Sequence, residues 1–137
     1  MQQFPTERMK PLSASLCGTP GDMLIDIPLV PFHLGEGLVK TNIRLEGINL
    51  PVSEVTTLAG RSFHFPVNPE DGYIDGSIYI EHAHHPIDVH EISFGESVDG
   101  ETPIRLKVRF VFSTEGLHDF ADFDCELATT IVAKNFT

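Results

Sequence analysis

In the stretch IRLKVRFVF, Ile104, Leu106, Val108, Phe110 and Phe112 alternate with Arg105, Lys107 and Arg109. In an extended chain these two sets point to opposite sides. A helical period would smear both sets around the axis, so the pattern demands a sheet with one buried face. A second stretch, FADFDCEL, has the same form. Ala121, Phe123, Cys125 and Leu127 share one side, and Asp122, Asp124 and Glu126 the other. Antiparallel pairing with Leu106 opposite Cys125, Val108 opposite Phe123 and Phe110 opposite Ala121 satisfies the apolar side. The same register sets Arg105 against Glu126, Lys107 against Asp124 and Arg109 against Asp122, so the acidic run reads as half of a charge ladder rather than a calcium site. It leaves STEGLH (113–118) as an exposed loop.

The remaining segments repeat the theme of short strands between breakers. They are MLIDIPLV (23–30), VKTNIRLEGI (39–48), RSFHFPV (61–67), YIDGSIYIEH and IDVHEISFG. Pro28 marks the first of these as an edge strand. Phe63, Phe65 and Val67 share a face, and NPEDG (68–72) is a turn. One helix of about two turns, capped by Ser53, is expected in SEVTTLAG (53–60). With 10 Pro and 11 Gly in 137 residues, the expected fold is all-β. It is a single-domain antiparallel β-sandwich or a small, jelly-roll-like barrel with at most one short helix. Residues 1–22, which carry Pro5, Pro11 and Pro20, read as an extended N-terminal arm, and residues 23–137 as the single β domain.

The charge narrows the partners. Twenty acids against nine Lys and Arg give a formal net charge of −11, opposite to the basic footprint that nucleic acids require. A basic protein partner is complementary to it. No apolar run precedes Cys17 as a signal peptide would need, and none is long enough for a membrane span. The expectation is a cytoplasmic protein, away from membranes, with a homo-oligomer compatible with the arm. Cys17 and Cys125 make no disulfide framework, and Cys125 falls on the buried side of its strand. Nucleophile-elbow, phosphate-loop, dinucleotide and zinc-protease motifs are absent.

Chemistry concentrates in GSIYIEHAHHPIDVHEISFG (76–95), which holds four of the seven histidines. Ile74, Gly76, Ile78, Ile80, His82 and His84 have one parity, and Asp88 and His90 share parity with Ile92 and Phe94. A hairpin closing through His85-Pro86-Ile87 sets His82 opposite His90 and His84 opposite Asp88. Three imidazoles and a carboxylate then gather on one face, a donor set for Zn, Fe, Mn, Ni or Cu. Facing histidines would also repel on protonation below about pH 6.5. A two-residue loop at His85-Pro86 would instead turn Asp88 and His90 away and dissolve the cluster.

The spacing of Gly76, His82, His84, Asp88 and Gly95 resembles the first motif of the cupins, with Asp where that family has Glu. The resemblance implies a small β-barrel and a divalent metal held by His82, His84 and Asp88. It covers about 20 residues, and the family's second motif has no counterpart downstream, where His118 is the last histidine. Two functions follow as expectations. The first is a non-enzymatic acidic β-protein acting through protein–protein binding, as an inhibitor, an immunity-like protein or an assembly subunit. The alternative is a cupin-like metal enzyme using His82, His84, Asp88 and His90.

Overall fold

The computed structural model describes residues 3–80, 82–113 and 120–132. Ten strands account for most of them: β1 (Ser15–Thr19), β2 (Asp22–Pro28), β3 (Phe32–Leu34), β4 (Gly37–Val39), β5 (Asn42–Ile48), β6 (Ser62–His64), β7 (Asp75–Ile80), β8 (Ala83–Phe94), β9 (Glu101–Phe110) and β10 (Phe123–Val132). Seven form one antiparallel sheet in the order β1-β2-β5-β7-β8-β9-β10, and β6 pairs with β8 beyond the end of β7. The sheet curls until its two ends touch. Ala14 lies parallel to Ile131, donating to the Thr130 carbonyl at 2.8 Å while its own carbonyl accepts from Val132 at 3.2 Å. The fold is thus all-β and of the small-barrel kind, with its apolar residues turned inward into one core.

Alternation produces that core strand by strand. Met23, Ile25 and Ile27 face in from β2, Ile78 and Ile80 from β7, and Ile104, Leu106, Val108 and Phe110 from β9. The separate β3–β4 hairpin buries Phe32, Leu34 and Val39. Two strands carry an extra residue. On β5 it lies between Leu45 and Ile48, where Gly47 adopts φ +70°, as a bulge of this kind requires. On β8 it is His90, between Val89 (opposite Val108) and Glu91 (opposite Lys107).

Several expectations change. β2 is interior, flanked by β1 and β5, and Pro28 is tolerated because it is the strand's last residue. The expected helix is a single 3-10 turn, Val55–Leu58, with no side-chain cap. Residues 3–19 do not form a free arm. They run through a 3-10 turn, bridge Pro11 to Leu29 and continue as β1, while Phe4, Met9 and Ala14 are buried. β9 and β10 pair as anticipated, but two residues out of the expected register: Phe110 faces Phe123, Arg109 faces Asp124 and Lys107 faces Glu126. Asp122 stands outside the ladder. Its carboxylate accepts from the Phe112 and Ser113 amides at 2.8 and 2.9 Å and from the Ser113 hydroxyl at 3.0 Å. Ser113 is the one described residue of the loop expected at 113–118.

Candidate functional sites

The histidine stretch folds as a hairpin, with its turn four residues earlier than either loop considered above. Ile80 faces Ala83, Ile78 faces His85 and Gly76 faces Ile87. The reversal therefore falls at His82, whose φ is +68°. A left-handed residue is what a two-residue hairpin loop needs, though Gly or Asn usually supplies it.

This register separates the candidate ligands. His82 is exposed at the turn. His84 lies on the outer face opposite Tyr79, the two rings edge-on with centroids 5.1 Å apart. Asp88 stands across from Arg109 on β9. His90 is the bulged residue, exposed on the far side of β8's midpoint. The bulge breaks the parity argument: Ile87 and Val89 point inward before it, and Ile92 and Phe94 after it, so Asp88 and His90 do not share the face of Ile92. His82 and His90 do not face each other, and their mutual repulsion on protonation loses its basis. Among the described residues, no group of three or more His, Cys, Asp or Glu side chains is placed to hold a metal ion. His118 lies outside the described residues. The buried histidine is one that parity on β7 does not reveal. His85 is 0% exposed, its ring edge-on to Phe112 at 5.2 Å.

No protein family, curated protein or solved structure matches this chain. No helix among the described residues is long and apolar enough to cross a membrane.

Across β8, β9 and β10 the outer face is electrostatically matched. The Lys107 ammonium lies 3.1 Å from Glu91, and the Arg109 and Arg105 guanidinium groups lie 3.2 and 3.5 Å from Asp124 and Glu126. The basic row of β9 thus has acids on both sides, and the excess negative charge resides elsewhere. Part of it lies on the loop between β6 and β7. There Tyr73, 38% exposed, is flanked by exposed Glu70, Asp71 and Asp75. The loop is held by its own backbone, with the Glu70 amide donating to Val67 at 3.0 Å and the Tyr73 amide to Glu70 at 3.2 Å. Where it enters the sheet, Asp75 stands directly opposite Glu46 on the outer face. Like charges so opposed are unfavourable, and Arg44, 3.0 Å from Glu46, offsets this only in part at an exposed position.

The two cysteines are free thiols of different character. Cys17 is exposed on β1. Burial pushes the Cys125 thiol up to about 11, and the neighbouring Asp124 carboxylate adds to the shift. Only about a thousandth of Cys125 is thiolate at pH 8, which argues against a nucleophilic role. Iodoacetamide at pH 8 is expected to label Cys17 and leave Cys125 unmodified in the folded protein. Equal labelling by intact-mass and peptide analysis would contradict that assignment.

Proposed function

We propose that this chain is a non-catalytic binding module that covers a basic protein partner, with the β6–β7 loop as its contact surface. The observation that carries this reading is the opposition of Asp75 and Glu46 beside an exposed tyrosine and two further acids. A surface shaped for stability alone would place opposite charges across two adjacent strands, as this same protein does on β9 and β10. Surfaces shaped for contact retain features that cost the fold something. Tyrosine is a common anchor at protein interfaces, and an acidic field accelerates the approach of a basic partner. The net charge of −11 supports the same sign of partner. An inhibitor or immunity-like role fits better than an assembly subunit reaching a neighbour with its N-terminal arm, because that segment packs in its own core.

Two outcomes test the reading. Asp75→Lys replaces a like-charge pair by an opposite one and is expected to raise the melting temperature by about 1–3 °C. The triple variant Glu70→Lys/Asp71→Lys/Tyr73→Ala is expected to melt like the wild type. Immobilised wild-type protein should capture a basic protein from extract of the source cells, with retention falling as salt rises. Purified, that partner should bind the triple variant at least about tenfold more weakly, mainly through slower association. Binding unchanged in the triple variant would overturn the assignment of the surface.

A further inference from the structure

A cleft of about 500 Å³ opens between β4 and the β7–β8 turn, lined by Gly37, Leu38, Val39, Lys40, Tyr79 and His82. Its position follows from the sheet. The chain leaves β4 and enters β5 beside β7, which brings Lys40 level with the turn at His82. We propose that this cleft binds a small aromatic carboxylate, a function separate from the partner surface proposed above.

Three features point to that ligand. The size lies within the range of about 300–1,000 Å³ typical of small-molecule sites. The walls are apolar and aromatic: Leu38 is 53% and Tyr79 58% exposed. The Tyr79 ring is braced by His84 edge-on at 5.1 Å, leaving a platform on which a second ring can stack with an offset. The polar lining is Lys40 and His82, and no described lining residue is a carboxylate, although acids outnumber Lys and Arg by 20 to 9 in the chain. An ammonium and an imidazole N–H can each donate to one oxygen of a carboxylate held beside the stacked ring.

His82 also sets the backbone of the turn. At φ +68° it occupies the left-handed region, which histidine adopts more readily than most side chains and glycine adopts with least strain. Glycine would close this turn with less strain. An imidazole at this position places a ring N–H donor in the lining of the cleft, which glycine would not.

The test uses the full chain, ¹⁵N-labelled, titrated with phenylacetate and with phenylacetamide as the uncharged control. Phenylacetate is expected to bind saturably, with shift changes centred on Leu38, Lys40, Tyr79 and His82, and about tenfold more tightly than the amide. Tyr79→Ala and Lys40→Met, both at exposed positions, are each expected to weaken binding about tenfold without moving the melting temperature. His82→Gly should weaken binding while raising the melting temperature. No saturable binding at millimolar phenylacetate, equal binding of acid and amide, or unaltered binding in Tyr79→Ala and Lys40→Met would each overturn the proposal.

Discussion

Gly76→Ala is expected to lower the stability of this protein by about 2–3 kcal/mol, read as a reduced urea midpoint with an unchanged slope. A Cβ at this position would collide with the Ile87 carbonyl oxygen and lie 3.2 Å from both the Ile87 Cβ and Leu45 Cδ2. The nearest of these atoms belongs to the backbone, so no rotamer change relieves the clash. Relief requires β7 and β8 to move apart where Gly76 pairs with both Ile87 and Leu45. The opposing effect, the lower conformational entropy of alanine in the unfolded chain, is worth only about 0.5–1 kcal/mol. Gly37→Ala is the control. Its nearest neighbour would be the Leu34 carbonyl at 3.7 Å, and its effect should stay within about 0.5 kcal/mol. Equal losses at both positions would refute the packing account. Gly76 thus has a role in strand pairing, whatever the origin of its spacing from His82 and His84.

Strands were legible in the sequence wherever one face is polar and the other apolar, as on β7 and β9. Register was less so. A slip of two residues keeps every side chain on its face, so hydrophobicity could not choose between Asp122 and Asp124 as the partner of Arg109. The choice is made by the backbone at the end of β9, where the Phe112 and Ser113 amides need an acceptor and Asp122 supplies it. The register of the histidine hairpin differs from the expected one for two further physical reasons. The turn at His82 uses a left-handed histidine, which carries none of the usual signals of a hairpin loop. The bulge at His90 reverses parity along β8, and no glycine announces it. One-residue errors of this kind move a side chain to the other face, so a site read from parity is more fragile than the strand that bears it. The cleft at Lys40, Tyr79 and His82 could not be read at all, because it depends on β5 pairing with β7, which carries the end of β4 to the β7–β8 turn.

Phe4→Ala is expected to cost about 3 kcal/mol, at the low end for a buried phenylalanine, and to lower the melting temperature by about 10 °C. Sequence spacing suggests no such loss, since the flanking prolines mark this segment as an arm. Yet Phe4 is 4% exposed. Its ring stacks on Phe112 at 4.9 Å and on Phe123 at 5.9 Å, and meets Phe120 and Phe32 edge-on at 5.3 and 6.2 Å. Truncation would leave four rings facing a void at the Phe123 end of β10. Phe4→Leu, which keeps most of the volume, should cost less than about 1.5 kcal/mol. Leu12→Ala, at a position 48% exposed in the same segment, should stay within about 0.5 kcal/mol. The loss should also be localised. Ala14 and Val132 donate the two amides that join the ends of the sheet, and they depend on the segment that Phe4 anchors. Hydrogen exchange at these amides should accelerate in Phe4→Ala more than at Ile43 or Ile92 in the sheet's interior. Wild-type stability in Phe4→Ala would return residues 3–14 to the status of an arm, and uniform acceleration would show that the seam opens only with the whole fold.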